Sequence, residues 1–226
     1  MARPIQLEFS NKYDQQHAQD YLQKHQESLW RRLSHRRDEQ LARRALAAAD
    51  EPGLVLDLPC GAGRFWPLLA EKPNRVIIGA DNSADMLSVA CAAQPAEVAQ
   101  RVTPLQTSAF AIDLPDNSVD SIFCMRLLHH VGDPAHRQTL LRECARVSRD
   151  SLIVSLWVDG NFKAWRRARL EKRRLATKGK VEYQNRFVIP AATVEAEFAA
   201  AGFRVQEQMD FLPMYAMWRV YVLRKG

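Results

Sequence analysis

Leu54-Val55-Leu56-Asp57-Leu58-Pro59-Cys60-Gly61-Ala62-Gly63 reads as a short apolar strand that ends in an acid and enters a glycine turn. The apolar segment behind it, Phe65 to Ala70, reads as the start of a helix. Glycines at a strand-to-helix turn let the backbone come close to a ligand, and the free N–H groups of the helix start suit a polar or anionic moiety. The carboxylate of Asp57 can receive a cationic one. A second element sharpens this: Arg75-Val76-Ile77-Ile78-Gly79-Ala80-Asp81 reads as a buried strand whose acid comes eighteen residues after Gly63. A doubly wound sheet places the carboxylate that takes ribose hydroxyls at about that distance. Together the two describe a site for a nucleoside-containing ligand. The dinucleotide fingerprint would need a third glycine where Trp66 stands, and a Trp is expected to obstruct the close helix–sheet packing of that position.

The order acid, Gly-x-Gly, strand, acid resembles the class I S-adenosylmethionine-dependent methyltransferases, whose first motif runs acid-x-Gly-x-Gly-x-Gly. This chain matches it at Asp57, Gly61 and Gly63 and departs from it at Pro59. The resemblance extends over most of residues 50–226. Thr107-Ser108-Ala109-Phe110, leading into Asp113-Leu114-Pro115-Asp116-Asn117-Ser118-Val119-Asp120, looks like the family's adenine-binding turn before its fourth strand. The likeness implies that the backbone around Ala109 meets the adenine edge and that Phe110 packs on its face. It implies S-adenosylmethionine as cofactor and S-adenosylhomocysteine as product, held by Asp57 on the methionine ammonium side, by Pro59, Cys60, Gly61 and Gly63 in the turn, and by Asp81 at the ribose. Asn82 and Met86 flank the adenine, Met86 equally reading as helix core, and Met125 lies at the end of the fourth strand.

Strands alternate with helical segments, which predicts an α/β, Rossmann-like, doubly wound parallel sheet. Strands are expected near 54–58, 75–81, 102–107, 119–124 and 151–157, with helices at 64–72, 83–93, 134–148 and 190–201. Asp133 with Pro134 is a helix-start signal. Residues 203–211 and 215–223, separated by Pro213, read as an antiparallel terminal hairpin that completes seven strands. Residues 1–50 form the expected N-terminal helical cap, and 51–226 the methyltransferase domain with a basic insert at about 161–187.

In the cap, residues 11–49 place Trp30, Leu33, Leu41 and Ala45 on one helical face, with Arg31, Arg32, Arg36, Arg37, Arg43 and Arg44 elsewhere. The insert carries nine Lys or Arg between residues 163 and 180 against one acid, Glu171. Such a run reads either as a solvated helix face or as attraction to an anionic partner: a phosphate- or carboxylate-bearing substrate, an anionic membrane surface, or RNA. Its aromatics (Phe162, Trp165, Tyr183, Phe187) supply stacking surfaces or pack the insert onto the core. Net charge is +6, and an apolar content of 47% over 226 residues suffices for a sizeable core. Met1 to Ser10 lacks the apolar run of a signal peptide and no stretch is long enough to span a bilayer, so a cytoplasmic enzyme is expected. Cys60, Cys91, Cys124 and Cys144 have no paired spacing, as expected of reduced thiols, and no Cys/His cluster suggests a metal.

Enzymes that methylate exocyclic base amines resemble one another in an Asn/Asp-Pro-Pro-aromatic stretch after the fourth strand. This chain has Cys124-Met125-Arg126-Leu127 there. A nucleophilic Cys outside the cofactor loop, as carbon-5 cytosine methylation needs, and the paired glutamates of protein arginine methyltransferases are not visible either. The branch that remains acts on small molecules and lipids, with an anionic small molecule, glycan or lipid as acceptor. Peripheral contact with an anionic membrane or a partner protein fits the charge, and nucleic acid fits less well. If the acceptor is a hydroxyl, His129 or His130 is the natural base, although a histidine there can equally pack against the cofactor. Tyr183 and Arg186 are candidates to orient an anionic acceptor. Arg31 to Leu46 together with Asp57 to Pro67 looks like bacterial methyltransferases associated with lipopolysaccharide and cell-envelope glycan synthesis. An RNA methyltransferase, and a non-catalytic module that keeps the fold to dock a partner, are the alternative readings.

Overall fold

The computed structural model of the protein describes Ile5, residues 29–178 and residues 185–226. In chain order the elements are α1 (Leu29–Ala48), β1 (Leu54–Asp57), α2 (Trp66–Leu69), β2 (Val76–Asp81), α3 (Ala84–Ala93), α4 (Ala96–Ala99), β3 (Val102–Gln106), β4 (Val119–Cys124), a 3-10 turn (Leu128–His130), α5 (Pro134–Val147), β5 (Ser148–Trp157), α6 (Phe162–Lys178), α7 (Ala191–Ala200), β6 (Phe203–Asp210) and β7 (Trp218–Lys225). The strands form one sheet in the order β3-β2-β1-β4-β5-β7-β6. The first five run parallel, and β7 pairs antiparallel with both β5 and β6. The architecture is the expected α/β one, with the order reversing between β1 and β4, where open sheets of this kind bind ligands.

Both faces of the central strands are buried, and the period of two sorts their side chains. Leu56, Ile122 and Leu152 point to a core shared with Leu140, Leu141 and Cys144 of α5 and with Val194 and Phe198 of α7. Val55, Phe123 and Ile153 point to the opposite core, shared with Leu68 and Leu69 of α2 and with Leu41, Ala45 and Leu46 of α1. Caps agree with the sequence. Asp133 accepts the Ala135 N–H at 2.8 Å ahead of Pro134, and Ser83 Oγ accepts the Met86 N–H at 3.2 Å.

Three expectations are corrected. The helix after the glycine turn is a single turn, Trp66–Leu69, because Lys72, Pro73 and Asn74 lead directly into β2. Trp66 does not hold helix and sheet apart. It is fully buried, and a Cβ on Gly79 of β2 would lie 2.5 Å from the indole, so the absent side chain on the strand is what admits the ring. Finally, α1 is more than a cap over one edge: from Asp38 onward it packs flat on the sheet face, and Arg37 donates from Nε to the Phe211 carbonyl at 2.9 Å. Leu33, expected on the buried face, is 55% exposed because it precedes the stretch that meets the sheet. The helical reading of residues 11–28 lies outside the described residues.

Candidate active site

The carboxyl ends of β1, β2 and β4 open on one cleft. Pro59, Cys60 and Gly61 form its wall after β1, Asp81, Asn82 and Met86 after β2, Ala109 and Phe110 after β3, and Met125, Arg126 and Leu127 after β4, with His130 and Ile5 at its rim. The Leu58–Pro59 peptide is cis. Gly61 and Gly63 have φ of 54° and 71°, left-handed backbone that glycine adopts without steric cost. The turn hangs from the end of β2: the Cys60 N–H donates to the Ala80 carbonyl at 2.8 Å and the Gly61 N–H to Asp81 Oδ2 at 3.0 Å. The other Asp81 oxygen accepts the Ser83 N–H at 3.0 Å. A carboxylate has about four acceptor sites, so Asp81 retains capacity for hydroxyl donors. Burial pushes the Asp81 carboxyl up, and the backbone N–H groups of Ser83, Gly61 and Asn82 oppose that rise.

Asp57 and Gly63 are not part of the wall. Gly63 serves the fold there, since a Cβ on it would lie 2.9 Å from the Trp66 ring. Asp57 is 1% exposed, and neither of its oxygens has a hydrogen-bond partner. Burial, and then the charge of Asp81, hold its carboxyl well above the usual range. The Trp66 indole N–H moderates the rise without reaching hydrogen-bond geometry. An orphaned carboxylate between the sheet and the glycine turn is relieved either by a proton or by a cationic partner.

The two histidines separate. His129 is 2% exposed, its ring 5.2 Å from Trp157 and 4.6 Å from Trp218, and its Nδ1 has no partner. Burial, then the neighbouring His130, Arg186 and Arg126, drive its pKa down to about 2, so it stays neutral. His130 is on the rim of the cleft, and its Nδ1 bonds the Asn185 carbonyl. A carbonyl only accepts, so Nδ1 carries the proton and Nε2 is the basic nitrogen. Burial lowers its pKa, followed by Arg186, with the Asn185 bond opposing. Arg186 itself lies over the Trp157 ring at 5.7 Å and does not line the cleft, and Tyr183 lies outside the described residues.

Two guanidinium groups at the cleft were not singled out by the sequence. Arg64 donates from Nη2 to Asp38 Oδ2 at 2.7 Å and from Nε to His35 Nδ1 at 3.1 Å. Arg126 bonds the same Asp38 oxygen and stacks over Trp218 at 4.6 Å. Its φ is +65°, a left-handed backbone that costs a non-glycine residue on the order of 1 kcal/mol. The bend is held by its own N–H, which donates to Ser155 Oγ at 2.9 Å. A cation directly after the glycine turn is a signal that could have found Arg64. Nothing in the sequence marks the bend at Arg126.

Residues 55–151 match the methyltransferase-domain family model. Over 114 residues the chain is 32% identical to trans-aconitate 2-methyltransferase of Azoarcus sp. (strain BH72), a match covering 50% of this chain and 42% of that relative; the likeness thus spans less than half of that protein. Among solved structures, magnesium protoporphyrin IX methyltransferase (ChlM) from Synechocystis PCC 6803 with bound SAH is similar at a TM-score of 0.67 and 15% identity over 89% of both chains. The [4+2]-cyclase SpnF is similar at a TM-score of 0.64 and 16% identity, over 83% of this chain and 81% of that one. At such identities the likeness is one of fold.

Proposed function

For this chain, which carries a class I S-adenosylmethionine-dependent methyltransferase domain, we propose methyl transfer from S-adenosylmethionine to an anionic acceptor, a carboxylate- or phosphate-bearing small molecule, glycan or lipid. The observation that carries the reading is the Gly61 turn hung from Asp81 at the sheet's switch point, with the unpartnered Asp57 carboxylate behind it. These residues fit the cofactor's three parts. From behind the wall the charge of Asp57 would favour the ammonium end, while Asp81 would meet the ribose hydroxyls and Ala109 and Phe110 the base, with Met86 opposite, its Cε 3.8 Å from where a Gly61 Cβ would sit.

When bound, this cofactor supplies a methyl group already activated on a sulfonium, which leaves the protein mainly the task of positioning. Arg64 and Arg126 both line the cleft and bond one oxygen of Asp38, which sets two guanidinium groups beside the cofactor residues. Guanidinium groups at the cleft support an anionic acceptor. For a hydroxyl acceptor, Nε2 of His130 takes the proton, and the buried His129 is a packing residue. The likeness to cell-envelope glycan methyltransferases makes phosphorylated sugars and lipids the first acceptors to try.

The test is incubation of the protein with methyl-labelled S-adenosylmethionine and bacterial extract, followed by separation of lipid, glycan, RNA, protein and small-molecule fractions. Label is expected in an anionic lipid, glycan or small-molecule fraction and is lost with Asp81→Ala. Label in RNA, or none despite measured cofactor binding, overturns the reading.

A further inference from the structure

The α6 helix and the loop before β7 form a surface that the methyl-transfer reading does not use. Residue Met214 is 79% exposed, Trp165 56%, and Leu212 47%. They are contiguous: the Phe162 N–H donates to the Met214 carbonyl at 2.9 Å and the Lys163 N–H to the Tyr215 carbonyl at 3.1 Å, which fixes the first turn of α6 on the loop. Met214 holds a φ of +60°, a conformation a side-chain-bearing residue adopts at a cost, and its thioether is presented to solvent. The 3.6-residue period puts Arg169 and Lys172 on the same side of α6 as Trp165, and Arg166 is exposed about 100° round from it. On the inner side, Glu171, the helix's sole acid, pairs with Arg167 at 2.9 Å.

We propose that this face docks on an anionic lipid surface. A basic helix with aromatic and aliphatic groups at its end meets such a surface twice, through charge at the headgroups and through apolar side chains at the acyl boundary. Lipid fits better than nucleic acid because the exposed rings already stack on neighbours of this chain and stand beside bare aliphatic groups. Phe162 lies parallel to Tyr215 at 5.8 Å, Lys163 lies over Tyr215 at 5.1 Å, and Arg169 over Trp165 at 5.4 Å. Leu212 and Met214, exposed beside them, have no counterpart in base recognition. The surface adjoins the cleft. Arg167 of α6 lies over Trp157 at 5.3 Å, and Trp157 packs on His129, next to the rim residue His130.

Docking is independent of the acceptor assignment and is tested without turnover. The full chain is sedimented with vesicles of phosphatidylcholine alone or enriched in phosphatidylglycerol. The expected result is binding to the anionic vesicles, weak binding to the neutral ones, and no competition by inorganic phosphate. Each basic residue near an anionic surface contributes about 1 kcal/mol, so Arg166→Glu with Lys172→Glu lowers the partition coefficient at least about tenfold. Trp165→Ser with Met214→Ser lowers it as well, and both variants melt with the parent. Equal binding to neutral vesicles, no binding to either, or variants that sediment as the parent does overturn the proposal. Retention of an RNA oligomer in place of vesicles does so too, and reassigns the face.

Discussion

The carboxylate of Asp38, midway along α1, lies 2.7 Å from the guanidinium of Arg64, the first residue after the glycine turn. Asp38 is 5% exposed and bonds Arg126 through the same oxygen, so one acid ties the N-terminal helix to the loops after β1 and β4. Removing one partner from a buried ion pair typically costs about 3 kcal/mol, because the remaining charge is stranded. Asp38→Asn is therefore expected to lower stability by about that amount in chemical denaturation and to weaken cofactor binding. A variant with both parameters unchanged would mean that α1 and the cleft are not coupled.

Asp57→Asn is expected to act in opposite directions on stability and on function. In the folded protein the carboxyl of Asp57 titrates well above its ordinary value, so the folded state binds its proton more tightly than the unfolded chain does. Stability is then lost as pH rises from the unfolded value, near 3.9, toward the raised one, and the amide, which cannot ionise, escapes that loss. The variant should melt higher than the parent at pH 7 without ligand, by a margin that shrinks toward pH 4, while cofactor binding falls. A lower melting temperature at neutral pH would show that the carboxylate is partnered.

Asp81→Asn keeps the shape of a side chain that accepts from Gly61 and Ser83 but removes its charge. A hydrogen bond to a charged group contributes about 1.5–3 kcal/mol, so affinity for S-adenosylhomocysteine by calorimetry should fall by about tenfold to a hundredfold. Binding within twofold of the parent would remove Asp81 from the ribose role.

The histidines predict two different pH signatures. The depressed pKa of His129, about 2, means that below about 6.5 the unfolded chain takes up a proton that the folded protein refuses, so stability drops as pH falls through that region. His129→Phe, which suits the site between Trp157 and Trp218, should flatten the decline between pH 6.5 and 5 and leave turnover nearly intact. His130→Gln should leave the decline from His129 in place and reduce turnover of a hydroxyl acceptor by about a hundredfold, the usual scale for losing a general base. If His129→Phe is the variant that abolishes turnover, the roles are reversed.

What was legible in the sequence followed periodicity and local chemistry. The family resemblance along Val119 to Cys124 and the Asp133-Pro134 start place β4 and α5 within a residue of where they are found. Asp81, Asn82 and Met86 share one wall with Ala109 and Phe110 because a parallel sheet brings successive strand ends to one edge. Relations across the sheet were less visible. Asp38 meets Arg126 across 88 positions of sequence, and the left-handed bend that aims Arg126 is set by a hydroxyl on β5. The aromatics of the insert divide for the same reason. Phe187 closes over Gly132, where an added Cβ would come within 2.6 Å of its ring, whereas Phe162 and Trp165 lie against each other and stay about half exposed.

The indole of Trp66 and the bare backbone of Gly79 occupy a single volume, and this restricts descent as well as packing. A lineage can lose the ring first, at about 3–5 kcal/mol for the hollow left behind, and refill it later from the strand. The reverse order has no viable intermediate, because a methyl group at position 79 has nowhere to go while the ring is in place. Among the relatives of this chain, a side chain larger than hydrogen at the position of Gly79 should therefore occur only where that of Trp66 is already small.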